Sequence, residues 1–174
     1  MKSLRIFTLA LFLALFLAAC GGTPSVDAPD NPAASAPEGG RMTFTYRDCT
    51  LPMNADFAPL LEALGEPDSY FEAASCAFDG LDKTYTYAGV EIITYPDGDV
   101  DRISSIRLLD DTAATPEGIT VGSTMEEVTA AYGEDYQEMG LQYVYEEGDT
   151  RLMILFEDSR AVSVEYMALN DLLG

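Results

Sequence analysis

The chain has no histidine and no tryptophan, and only two lysines, Lys2 and Lys83. Without histidine, Ser-His and Cys-His nucleophilic pairs are excluded. A Ser–Lys pair would have to use Lys83, which sits beside a predicted strand with no motif around it. No glycine-rich phosphate loop is present either. An enzyme is therefore not expected, and no cofactor is implied. Positive charge is equally scarce: 9 Lys and Arg against 30 Asp and Glu give a net charge of −21. That balance argues against nucleic acid and against docking on anionic lipid headgroups. It favours solubility and leaves room for a basic partner or for cations, with a plain solvated acidic surface as the alternative. Cysteines number three, and without histidine Cys49 and Cys76 make a poor zinc site. The 48% apolar content is too high for a disordered chain.

The first twenty residues have the order of a secretion signal. Lys2 and Arg5 form a positive head, and Ile6 to Ala19 is an apolar run too short to span a bilayer. It closes on Leu17-Ala18-Ala19-Cys20. This resembles the bacterial lipobox, which implies lipidation of Cys20, cleavage before it, and a partner in the membrane itself through a diacylglyceryl anchor. Two acyl chains, at about 0.8 kcal/mol per buried methylene, hold stably. The expected location is the extracytoplasmic side of a cell membrane. Residue 21 is Gly and not the Asp that retains some lipoproteins at an inner membrane, which does not decide between a Gram-positive membrane and an outer membrane; a Gram-positive host is the preferred expectation and an outer membrane stays open. Residues 20–41, with four Pro and four Gly, read as a flexible tether reaching about 25 Å.

Cys49 and Cys76 would lie in a compartment where disulfides persist. A bridge between them closes a loop of about 28 residues, worth on the order of 3–4 kcal/mol; two reduced, buried thiols are the alternative. Asp97, Asp99 and Asp101 alternate like the first ligands of a calcium loop. The pattern then fails, with Arg102 where Gly is needed and Leu108 where a bidentate Glu belongs. An acidic hairpin loop is the preferred reading and no metal site is expected, with these three aspartates as weak candidates.

The pattern beyond residue 41 repeats. Phe57, Leu60, Leu61 and Leu64 mark one apolar helix face, capped by Asp56 or Asn54 and stopped by Gly65. Met125, Val128, Thr129 and Tyr132 repeat that spacing, with Ser123 and Glu126 as an expected capping box and Gly133 as the stop. Strands follow each helix: Thr84–Tyr87, Val90–Tyr95 and Ile103–Leu108 in the first half, Leu141–Tyr145, Arg151–Phe156 and Ala161–Met167 in the second. Gly/Asp turns between them point to antiparallel hairpins. Met42–Tyr46 is expected as a lead strand, and Phe71–Leu81 is an extra stretch of the first half. The predicted class is α+β: two tandem helix-plus-meander units, 42–112 and 113–174, sharing or packing a sheet with helices on one face.

The segment from Gly122-Ser123-Thr124-Met125-Glu126-Glu127-Val128 to Tyr132-Gly133, followed by Tyr-x-Tyr strands, resembles the tandem modules of the β-lactamase inhibitor protein family. It is more loosely similar to the small lipoprotein of the outer-membrane assembly machinery. The likeness spans about Met53 to Met167 and implies a non-catalytic protein that binds other proteins through its sheet. No inhibitory contact residues match, so β-lactamase inhibition is not implied.

Tyr85 and Tyr87, like Tyr143 and Tyr145, alternate with other residues and so share one face. They are candidate partner-binding residues if that face is open, and core residues if the helices cover it. Leu152–Phe156 is apolar on both faces, so one side meets the helix and the other needs cover. The expected function is a membrane-anchored, non-catalytic module that binds protein or peptide. A structural envelope-assembly component and a cation- or small-ligand-binding lipoprotein are the alternatives.

Overall fold

A computed structural model describes residues 42–169 of the chain. The expected leader, the lipobox expected at Cys20 and the expected tether lie outside the described residues.

The fold is α+β and mostly sheet. A short hairpin, β1 (Phe44–Tyr46) and β2 (Cys49–Leu51), leads into α1 (Phe57–Leu64). Four strands follow: β3 (Ser69–Ala74), β4 (Leu81–Tyr87), β5 (Val90–Asp97) and β6 (Val100–Leu108). After a connection comes α2 (Met125–Tyr132), then β7 (Gln137–Met139), β8 (Gln142–Glu147), β9 (Thr150–Glu157) and β10 (Arg160–Ala168). Strands β3 to β10 form one eight-stranded sheet in the order β3-β4-β5-β6-β10-β9-β8-β7. All its pairings are antiparallel.

Both helices start and stop on local chemistry. Asp56 Oδ1 accepts from the Ala58 N–H at 3.0 Å, so Asp56 rather than Asn54 caps α1. The capping box of α2 is formed by Thr124 and Glu127, one residue later than the Ser123–Glu126 pair expected from sequence. Glu127 takes the Thr124 N–H at 2.8 Å, and Thr124 Oγ1 takes the Glu127 N–H at 3.2 Å. Gly65 and Gly133, at φ +79° and +91°, end the helices.

Each helix is also tied to the sheet at both ends, its start to the last strand of its own half (β6 or β10) and its stop to an earlier one (β4 or β8). Arg102 Nη1 donates to the Asn54 carbonyl at 3.0 Å, and Arg160 Nη1 to the Gly122 carbonyl at 2.8 Å. Tyr87 Oη donates to the Gly65 carbonyl at 3.0 Å, and Tyr145 Oη to the Gly133 carbonyl at 3.0 Å. These bonds matter because eight residues are too few for a helix to persist alone.

The core lies between the helices and one face of the sheet. Strand alternation sends Tyr87, Val90, Leu108, Val164 and Ile154 to that side, with Ile92, Ile106, Tyr166 and Leu152 in the next row. All are buried. Phe57 and Leu64 of α1 and Val128 and Tyr132 of α2 join the same cluster. The β1–β2 hairpin covers it through Phe44 against Tyr166, with ring centroids 5.6 Å apart. Its turn residues Arg47 and Asp48 both have positive φ, the two-residue geometry that matches strand twist. The connection from β6 to α2 is held down by buried Ala113 and Ile119. Tyr132 Oη secures it further, donating to Glu117 at 2.7 Å and lying 3.0 Å from Tyr166 Oη.

The hydroxyls that end the helices generate a stability prediction. Replacing Tyr87 or Tyr145 by Phe should cost about 1 kcal/mol each in urea unfolding at pH 7. Burial pushes the Tyr145 hydroxyl up to about 12 and raises Tyr87 as well. A group with a raised folded pKa contributes stability that is full below its unfolded value, about 10, and is lost as pH rises through the folded one. Wild type should therefore lose stability between pH 10 and 12, and the double Tyr→Phe variant should lose less over that window. Equal losses would rule out these hydroxyls as the source.

Candidate functional site

Tyr85, Tyr87, Tyr143 and Tyr145 do not form a binding surface. All four are buried, at 6%, 1%, 8% and 5% exposure. The alternation that gives them a common face is real, but the helices sit on that face. Tyr85 packs on Phe57 at 4.7 Å between centroids, and Tyr143 stacks on Tyr136 at 3.8 Å. Their bulk fills the space beneath α1 and α2; the Tyr87 and Tyr145 hydroxyls are spent on helix-end carbonyls, and that of Tyr143 on Tyr136.

The aspartates are likewise dispersed. Asp97 pairs with Arg102 at 2.5 Å, and Asp101 with Lys83 at 2.6 Å. Asp101 lies opposite Pro96 and Asp97 opposite Val100, so alternation turns their side chains to opposite faces of the β5–β6 hairpin. Among the described residues no group of three acidic or sulfur side chains could hold a metal.

The expected Cys49–Cys76 bridge is not formed, and both thiols are free. Cys49 lies opposite Tyr46, whose hydroxyl reaches the Ala88 carbonyl just past the end of β4. Cys76 follows Ala74, which pairs with Leu81 at the start of β4. The seven residues of β4 separate these sites by about 20 Å, at roughly 3.4 Å per residue, far beyond the reach of a disulfide.

One cleft, of about 770 Å³, opens between residues 117–123 and α2. Several of its polar groups are already engaged. Glu127 serves the capping box, Glu117 accepts from Tyr132, and Arg160 donates to Gly122.

The remaining surface of interest is the other face of the sheet. The helices and the β1–β2 hairpin pack on the tyrosine side through the contacts named above, and the opposite side carries mixed chemistry. One row across it reads Phe71, Thr84, Ile93, Ser105, Met167, Arg151 and Glu146, and the next reads Thr86, Glu91, Arg107, Glu165 and Met153. Ile93, Met153, Leu155 and Met167 are only half-buried, and Phe71 is 66% exposed. Most charges among them are paired with the opposite sign, Glu91 with Arg107 and Glu146 with Arg151 at 2.7 Å, which leaves Glu165 as the net charge of the two rows. In a chain of net charge −21, this patch is close to neutral and contains two flexible methionines, which adapt to varied partners. Sequence reasoning did not single out Ile93, Met153, Leu155 or Met167. The unalternating run Leu152–Phe156 was the available signal, since only one of its faces can meet a helix.

No family model matches this chain, and no curated protein matches it in sequence. Among solved structures it is similar to an extracellular protein containing an SCP domain from Bacillus anthracis, with 15% identity and a TM-score of 0.49. That match covers 67% of this chain and 44% of the other, so the chain spans less than half of that protein's length. It is also similar to a DUF4309 family protein, YjgB, from Bacillus subtilis, with 20% identity and a TM-score of 0.39, covering 66% and 78% of the two chains. Among the described residues no helix is long and apolar enough to cross a membrane.

The free thiols generate a direct prediction. Cys76 is exposed, whereas Cys49 is half-buried and burial raises its thiol pKa. In the folded protein at pH 8, Cys76 should react promptly with a maleimide and Cys49 at least tenfold more slowly, because less of it is thiolate. The Cys49→Ser/Cys76→Ser double variant should show none of the destabilisation, on the order of 3–4 kcal/mol, that losing a bridge of this span carries. Failure of both thiols to react before reduction would restore the bridge.

Proposed function

We propose that this chain is a non-catalytic binding module, held on the outer side of a membrane through lipidated Cys20, and that it meets a protein or peptide on the open face of its sheet. The observation carrying this reading is that Ile93, Met153, Leu155 and Met167 stay only half-buried on a wide, nearly neutral face, while Tyr85, Tyr87, Tyr143 and Tyr145 are spent on the core. A mixture of apolar and paired polar groups on a rigid sheet is the composition of a protein-recognition surface. Residues 20–41, read from their composition as a tether, would let such a surface stand off the membrane.

The same reading includes two copies of one helix-plus-meander unit, as the resemblance to the β-lactamase inhibitor protein family implies. In its favour, the contacts come in pairs. Tyr87 to Gly65 matches Tyr145 to Gly133, and Arg102 to Asn54 matches Arg160 to Gly122. The bridge Asp56–Arg102 matches Thr124–Arg160. Strand irregularities also match, with Ser104 skipped in the pairing of β6 and Val162 in that of β10. A cation-binding role has less support, because Asp97 and Asp101 are held by Arg102 and Lys83.

The test is photo-crosslinking on intact cells, with a benzophenone amino acid at Met153 or Leu155 and, as a control, at exposed Glu62 on α1. The open-face positions should give one adduct of defined mass that Glu62 does not give. Met167→Glu should weaken that adduct at least tenfold without moving the urea midpoint. Equal adducts from all three positions, or none from the open face, would defeat the proposal.

A further inference from the structure

The two edges of the sheet are unlike. The β7 edge is three residues long, whereas β3 presents six consecutive exposed residues, Ser69-Tyr70-Phe71-Glu72-Ala73-Ala74. The bond from the Ser75 N–H to the Gly80 carbonyl at 3.0 Å fixes the phase of the β3–β4 ladder. Counting back in twos along the register, Ala73 and Phe71 bond inward to Asp82 and Thr84. The N–H and C=O groups of Tyr70, Glu72 and Ala74 therefore point out of the sheet. Such an edge is a template for another strand. Proteins usually blunt it with proline, lysine or a bulge, and β3 itself contains no proline or lysine. Three of the exposed large apolar side chains flank it: Tyr70 at 48%, Phe71 at 66% and Leu81 at 39%. Tyr70 lies over Tyr85 on the core side, while Phe71 extends the open face, so an added strand would find apolar contacts on both sides.

Charge selects the occupant. Asp68, Glu72, Asp79 and Asp82 surround the edge, and the ammonium of Lys83 is held by Asp101 at 2.6 Å. A second copy of a chain carrying −21 would bring the same carboxylates against these. We infer that β3 receives an extended peptide segment that alternates apolar with Lys or Arg residues, adding it as a ninth, edge strand. The inference is independent of the open-face reading, since it uses the backbone of β3 and not the side chains of β9 and β10.

The test measures binding of a labelled, acetylated Lys-Val-Lys-Val-Lys-Val-Lys peptide, and of its Glu-for-Lys counterpart, to the full chain. Glu72→Pro removes an outward N–H without touching the ladder to β4, a substitution edge strands tolerate. Glu72→Gln is the control for charge. Wild type should bind the basic peptide and not the acidic one. Glu72→Pro should weaken binding at least tenfold, and Glu72→Gln less than threefold, with circular dichroism unchanged in both. Met153→Glu should bind as wild type does, which separates this site from the open face. Equal binding by Glu72→Pro would overturn the inference, as would equal binding of the acidic peptide. Dimerisation of wild type that Glu72→Pro abolishes would put a second copy on the edge and also overturn it.

Discussion

The pairing of β6 with β10 is the contact on which the rest of the molecule depends. Across it Leu108 faces Val164 and Ile106 faces Tyr166, and none of the four is more than 2% exposed. Without that seam, four strands and one eight-residue helix would remain on each side, too little to bury a core of their own. With it, the inward residues of all the central strands become one continuous cluster. Phe44 reinforces the seam, since the hairpin that precedes α1 rests on Tyr166 of the last strand. The first and last described elements thus close over the same joint.

Tyrosine does most of the pinning. On the inward face it supplies apolar bulk to the core and a hydroxyl that can reach a polar group at the core's rim, the combination needed where a short helix ends over a sheet. Tyr87 and Tyr145 satisfy helix-end carbonyls, and Tyr132 and Tyr166 hold the inter-half connection through Glu117. Committing the rings to this task leaves the opposite face to Ile, Met, Leu and matched ion pairs. Surface ion pairs of this kind add little stability; their effect is to keep the patch near neutrality in an acidic protein. The division of labour between the faces, more than any single residue, is what the proposed binding role rests on.

Much of this architecture was legible in the sequence. The 3.6-residue spacing of Phe57 to Leu64 and of Met125 to Tyr132, ended by Gly65 and Gly133, gave both helices, and alternation gave the six inner strands. The edge strands β3 and β7 were not legible, because every residue in them is exposed and no apolar–polar alternation is imposed on them. Strand β2 is three residues long and carries too little pattern to detect. Alternation also established that Tyr85 and Tyr87 share a face without establishing which face the helices would take. That is why they were candidates for a partner and proved to be core. The Cys49–Cys76 expectation failed for a related reason: separation along the chain sets the entropy of a loop, whereas the distance is set by the length of β4, a tertiary fact.

Hydrogen–deuterium exchange across the β6–β10 seam tests the dependence of the fold on that joint. If the seam unites the two halves, the paired amides of Ser105–Leu108 and Val164–Met167 exchange last, and only at the rate of global unfolding. Amides of β3 and β7 exchange earlier, through local opening at the edges. Exchange of the seam amides ahead of those in β5 and β9 would mean that the halves part while each stays folded, and would contradict a single shared core.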